Sequence, residues 1–177
     1  MTSIDRVALH QRLARGFWDG YAHAPDRKRV NYPDEWIFTE DAVAMSPSYS
    51  SGAEFPLGKF LAESRLSWSD VATIDMSMYW EHLPDLRIVT PLNCIAGEEG
   101  FAMWQRFAGT TADGRVLSFQ ETDIIRTDED GRICRWEFYF DTEFCRIVEL
   151  VTGLPSPFTW DDYMTKLSSH VAATMGA

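Results

Sequence analysis

Apolar residues recur at four-residue intervals near the start of the chain: Leu9, Leu13, Phe17 and Tyr21. That spacing puts them on one face of a helix. Thr2-Ser3-Ile4-Asp5 ahead of them reads as a capping box, and the helix is expected to end near His23 to Pro25. Residues 31–36 are predicted as a short second helix. Residues 42–45 follow as a strand, 46–52 as a Ser/Gly loop, and 57–66 as a helix opened by Pro56. From Val71 to Asp141 the pattern predicts β structure throughout, in segments cut by Pro84-Asp85, Gly97 to Gly100, Asp113-Gly114 and Asp130-Gly131. The last two dipeptides are hairpin signals. After Asp141 the period lengthens again, with Phe144, Ile147, Val148 and Leu150 on one side of a helix that Gly153 and Pro155 stop. A last helix, 159–175, starts at a second box-like cap, Thr159 to Asp162.

The order is helices, one strand, a helix and a long meander. It predicts an α+β fold with a curved, mostly antiparallel sheet wrapped around the N-terminal helices. A chain of 177 residues suits one domain, here placed at 1–154, with 155–177 as a helical extension or lid. The formal charge of −11 disfavours nucleic acid and anionic membranes. No apolar run is long enough to span a bilayer, and the first fifteen residues lack a leader pattern, so a cytoplasmic protein is expected. Cys94, Cys134 and Cys145 match no zinc spacing, no two histidines sit at ligand spacing, and no metal is expected. Phosphate-cradling glycine loops and the Gly-x-Ser-x-Gly elbow are missing from the sequence, so no cofactor is expected. Aromatic residues reach 14%, an excess that suits a pocket for a flat ligand.

Asp123-Ile-Ile-Arg126 through Gly131, followed by Arg135-Trp136-Glu-Phe-Tyr-Phe-Asp141, resembles the closing hairpin of nuclear-transport-factor-2-like (NTF2-like) proteins. The nearest versions are those of polyketide cyclases, limonene epoxide hydrolase and ketosteroid isomerase. Phe38 to Pro47 is similar to their first strand, and Gly58 with Phe60-Leu61 to the helix after it. The resemblance implies a cone-shaped sheet around an apolar cavity. It also implies a cavity-facing acid at Asp123, eight positions before the turn glycine, where the isomerase keeps a neutral carboxylic acid. The isomerase's base falls on Ser46 and its helix-one tyrosine near Gly16 or Phe17, while the hydrolase's last-strand aspartate falls on Phe138. Neither activity is therefore implied in its known form.

Strand alternation extends this expectation. With Asp123 inward, Leu117, Phe119, Glu121 and Ile125 face in as well. Trp136, Phe138 and Phe140 are expected inward on the next strand, and Ala102, Trp104, Arg106 and Ala108 on the preceding one. Arg106 should then pair with Glu121 and Asp123, leaving one carboxylate as a base and the other holding a proton. His82 is a candidate proton shuttle, Tyr49 and Lys59 are candidate donors, and Phe17 and Tyr21 candidate walls. Outward Tyr139, Phe101, Met103 and Phe107 would make an apolar patch, hence an expected homo-oligomer.

The function expected from this set is a cofactor-independent lyase, dehydratase or isomerase acting on a bulky aromatic small molecule. The chain is also similar to the diarylpropane lyases of lignin breakdown, which release formaldehyde from a two-ring diol. The alternatives are a non-catalytic small subunit of a ring-hydroxylating dioxygenase-type complex and a small-ligand-binding protein.

Overall fold

The computed structural model describes residues 5–48 and 52–175, with side chains to residue 170. Helix α1 (Arg6–Ala22) is capped by Asp5, whose carboxylate accepts from the Ala8 amide at 3.0 Å. Thr2 and Ser3 of the expected box lie outside the described residues. Leu9, Leu13, Phe17 and Tyr21 are all buried, as their spacing requires. A short α2 (Ala24–Arg27) follows. Residues 31–36, expected to be helical, are a turn and coil. They cross α1 so closely that a Cβ on Gly16 or Gly20 would lie 2.5 Å from the Pro33 ring or 2.6 Å from the Asn31 carbonyl. Two glycines one turn apart give this segment a groove to lie in.

Strands β1 (Phe38–Met45) and β2 (Glu54–Phe55) precede α3 (Leu57–Ser64). Residues 71–80, expected as strand, belong instead to α4 (Trp68–Trp80). Ser67 and Asp70 make a reciprocal capping box at its start, with Ser67 Oγ accepting from the Asp70 amide and Asp70 Oδ2 accepting from the Ser67 amide. That signal outweighs the alternation suggested by Ile74, Met76 and Met78. The sheet resumes with β3 (Arg87–Ile88), β4 (Asn93–Ala96), β5 (Gly100–Thr110), β6 (Val116–Thr127) and β7 (Ile133–Phe140). Helix α5 (Thr142–Thr152) is capped by Asp141 and ends on Gly153 at φ 71°. Helix α6 (Trp160–Met175) carries the expected Thr159–Asp162 cap, Thr159 Oγ1 accepting from the Asp162 amide at 3.1 Å.

The strand order is β2-β1-β7-β6-β5-β3, with β4 also on the outer edge of β5. Only β1 and β7 run parallel among these pairs. Helix α1 fills much of the concave face, and α3, α4 and α6 close the rest around a cavity.

Register decides which residues reach that cavity. In the β5–β6 hairpin, Thr111 and Arg115 flank a three-residue loop, with Gly114 at φ 83° and its amide bonded to the Thr111 carbonyl. A two-residue turn over Asp113-Gly114 would have set even residues of β5 against odd residues of β6. The three-residue loop sets odd against odd: Met103 with Asp123, Gln105 with Glu121, Phe107 with Phe119. The inner face of β5 is therefore Phe101, Met103, Gln105 and Phe107, all buried. Ala102, Trp104, Arg106 and Ala108 face out, reversing the expectation for that strand. The β6–β7 hairpin has the same loop, but a bulge at Cys134 shifts the register once more. Trp136, Phe138 and Phe140 thus lie beside Ile125, Asp123 and Glu121 as expected.

Candidate active site

The cavity has about 140 Å³ of open space. Its wall is largely aromatic: Tyr21 from α1, Trp68 from α4, Phe119 from β6, Trp136, Phe138 and Phe140 from β7, and Trp160 from α6 among others. Its polar groups are few. They are Glu121, Asp75 and the hydroxyls of Tyr21, Tyr79 and Tyr163. No Lys, Arg or His is among the described residues that line it.

Glu121 is only 8% exposed, and its Oε2 accepts from Gln105 Nε2 at 3.1 Å. The same amide nitrogen donates to Asp123 Oδ2 at 2.6 Å, so one Gln105 side chain bridges two carboxylates. Asp123 is fully buried and also accepts from the Trp136 indole N–H at 2.7 Å. It faces inward but sits behind the wall, covered by the two groups that bind it, whereas Glu121 opens onto the cavity. No basic residue forms an ion pair with Asp75, Glu121 or Asp123 among the described residues.

Burial without a cation penalises the ionised form. It pushes Glu121 well above the usual glutamate range, and the neighbouring charge of Asp123 adds to this. Asp123 is raised for the same reason, held back by its two donors. Together the pair retains a proton more readily than two free carboxylates would. Asp75, one turn of α4 from Val71 and Tyr79, is raised by burial to about 6, against the opposing hydrogen bond from Tyr163. That bond is 2.6 Å long, and the Tyr163 and Tyr79 hydroxyls lie 2.8 Å apart, so α6 is tied to α4 through a short polar chain. The rings of Tyr32 and Trp68 meet edge to face, 6.1 Å between centroids, and bury a hydroxyl and an indole N–H with no partner in hydrogen-bond geometry among the described residues.

Several expected site residues lie elsewhere. Arg106 is exposed on the outer face, 3.4 Å from Ser118 Oγ and 3.5 Å from Gln120 Oε1. Trp104 beside it is 38% exposed. Both follow from the odd-to-odd register. His82 is exposed in the turn after α4, because that segment is a helix end rather than a strand facing the cavity. Lys59 is exposed on α3 and pairs with Glu63, one helical turn on. Tyr49 lies outside the described residues. Phe17 is buried behind the wall, packed on Tyr21 at 4.8 Å and Trp136 at 6.0 Å. Tyr21, Phe119, Trp136, Phe138 and Phe140 do line the cavity. Phe101, Met103 and Phe107, expected to face out, are core.

Four residues had been missed: Gln105, Asp75, Tyr79 and Tyr163. The Ser67–Asp70 box was the signal for two of them. A helix starting there puts Val71, Asp75 and Tyr79 on one face at four-residue spacing. No comparable signal marks Gln105, whose inward position depends on loop length.

No protein-family model matches the chain, and no curated protein matches it. Solved structures do. An NTF2-like protein from Anabaena variabilis aligns with 14% identity over 80% of this chain and 95% of that one, with a TM-score of 0.51. The chain has the NTF2-like fold. A phenazine biosynthesis-related protein from Pseudomonas aeruginosa aligns at 13% identity over 86% of this chain and 92% of that one, TM-score 0.49. A steroid delta-isomerase from the same organism aligns at 16% identity over 98% and 97%, TM-score 0.42. At these identities the likeness concerns architecture alone, and the chemistry of this chain lies in its own cavity. Among its described residues no group of three or more His, Cys, Asp or Glu is arranged to hold a metal, and no helix is long and apolar enough to cross a membrane.

Proposed function

We propose that this NTF2-like protein is an enzyme that moves a proton on a small aromatic molecule, as an isomerase, dehydratase or lyase without a cofactor. One observation carries the reading: Glu121 opens onto an apolar cavity while Gln105 holds it against a second buried carboxylate. Asp123 accepts two hydrogen bonds and Glu121 accepts one, so the retained proton resides mainly on Glu121. Glu121 is the group that gives a proton to substrate or takes one back, and Asp123 is the positioning partner behind it. Tyr79 and Tyr163 supply hydroxyl donors for an oxygen on which charge develops. The ionised fraction of Glu121 removes a proton from one carbon and returns it at another, which isomerises the substrate. Removal with loss of a neighbouring group gives elimination.

The volume favours one ring. An empty apolar cavity of about 150 Å³ holds benzene, and the space here is about 140 Å³. Cleavage of a two-ring diol with release of formaldehyde is the finer reading of the resemblance, and it would require α6 to move outward. A formaldehyde assay with a diaryl diol tests it.

The general reading is tested by incubating the protein in D2O with one-ring ketones and alcohols and following carbon-bound deuterium by NMR. Exchange is expected, with a loss of about 100-fold or more in Glu121→Gln. Exchange at the same rate in that variant, or none with any compound, would remove the proposal.

We also propose a second copy, or a larger partner, on the outer sheet face. One cross-strand row there holds Asn93, Trp104, Thr122 and Tyr139, with Ile95 beside it at 67% exposure. Sedimentation checks this, and a monomer at micromolar concentration counts against it.

A further inference from the structure

The cavity pairs acid groups with aromatic faces and has no cation among the described residues that line it, and this bears on what it accepts. Glu121 is more than nine-tenths buried, and among the described residues one of its carboxylate oxygens has a hydrogen bond and the other has none. Its other oxygen belongs to a group on the cavity wall with no protein partner among the described residues. Asp75 accepts a hydrogen bond from Tyr163 and has no ion pair with a basic residue among the described residues. Around them stand Tyr21, Trp68, Trp136, Phe138 and Trp160, whose π faces attract positive charge. A formal charge of −11 on the whole chain raises the local concentration of cations further.

We propose that the natural ligand of this cavity is a small organic cation, a one-ring molecule bearing a protonated amine, with its ammonium against Asp75 and its ring among the aromatic walls. This rests on the reading of the cavity as the active site and narrows its substrate class. An ammonium supplies the counter-charge that the protein leaves out. It costs less to bury beside carboxylates than an anion, which would meet Asp75, Glu121 and Asp123 with no compensating base. An uncharged ring would gain the aromatic contacts alone.

The groups facing Asp75 are known from each packed element: Tyr21 on α1, Tyr79 on α4, Glu121 on β6 with Asp123 behind it, and Tyr163 on α6. Tyr21 and Tyr79 are held above their ordinary range, by burial first, and stay neutral throughout the neutral range. Asp75, at about 6, gains its charge between pH 5 and 7 at the cavity surface, while Asp123, raised to about 7, gains its own from behind the wall. Ammonium binding should strengthen over that interval.

Isothermal titration of the unmodified protein with benzylamine, benzyl alcohol and benzoate separates the possibilities. At pH 7.5 benzylamine is expected to bind about tenfold or more tightly than benzyl alcohol, with no detectable binding of benzoate. The benzylamine affinity should fall as pH is lowered from 7 to 5, while that of benzyl alcohol stays level. In Asp75→Asn the preference for the amine should collapse to within about twofold, with benzyl alcohol binding retained as evidence that the cavity is intact. Benzyl alcohol binding as tightly as the amine, or benzoate binding at all, overturns the charge preference and leaves the proton-transfer reading standing. No binding by any of the three removes the cavity as a one-ring site and takes both proposals with it.

Discussion

The two hairpins that build the inner face carry nearly the same turn. Thr111 to Arg115 and Asp128 to Arg132 each enclose three residues, each with an Asp-Gly pair and each with its glycine near φ 80°. One hairpin runs on without interruption for eleven paired positions. The other gains an extra residue, Cys134, immediately after the turn. That one residue is why even-numbered side chains face the cavity on β7 while odd-numbered ones face it on β5. Turn chemistry places the hairpin, but the count of residues around it decides which chemistry reaches the core.

The strongest way to break this comparison is to insert one alanine between Trp136 and Glu137. With the pairing of β6 unchanged, Phe138 and Phe140 then turn to the outer face and Glu137 and Tyr139 turn inward. No cooperatively folded protein is expected by thermal denaturation. Cys134→Ser keeps the count and should stay within about 0.5 kcal/mol of wild type. A folded insertion variant would mean that the register is set elsewhere.

Next in size is Gln105→Leu, which takes the bridging donor from two buried carboxylates. A loss of about 1–3 kcal/mol is expected in urea denaturation. A cost below about 0.5 kcal/mol would indicate that the bridge contributes little.

The cavity acids also give stability a pH dependence. The folded-state value of Asp75 is raised to about 6, above its unfolded value near 4. The folded protein therefore binds the proton more tightly, and the associated stability is full below about pH 4 and lost as pH rises through about 6. Asp75→Asn carries no charge to desolvate. It should be about 1–2 kcal/mol more stable than wild type at pH 8, with the gap closing toward pH 4. Parallel curves for the two proteins would contradict the desolvation of Asp75.

The smallest expected effect completes the comparison. Arg106→Ala, beside Gln105 but on the outer face, should change stability by less than about 0.5 kcal/mol and leave the cavity acids untouched. A large loss would return Arg106 to the interior.

The architecture was legible in the sequence because it rests on long periodic signals: the four-residue spacing of α1, the alternation of β6 and β7, and the caps of α5 and α6. Glu121 and Asp123 shared an inner face for the same reason, since a strand has a two-residue period. Arg106 and Trp104 were misplaced because a single loop residue inverts a whole strand, and Asp-Gly fits two-residue and three-residue loops alike. Asp75 and Tyr79 were hidden by a helix whose alternating apolar residues resemble a strand, although Ser67 and Asp70 marked its start. Tyr163 lay in a helix that was read correctly, but nothing local says that its hydroxyl reaches across to Asp75.

The most direct measurement is a pH titration of the carboxyl carbon of Glu121 by 13C NMR, assigned by comparison with Glu121→Gln. The midpoint is expected well above the ordinary glutamate range, and replacing Gln105 by Leu should raise it further. A midpoint near the ordinary value of about 4.3 would mean that this carboxylate is bathed in water, and the proton-holding pair at the centre of the cavity would not exist.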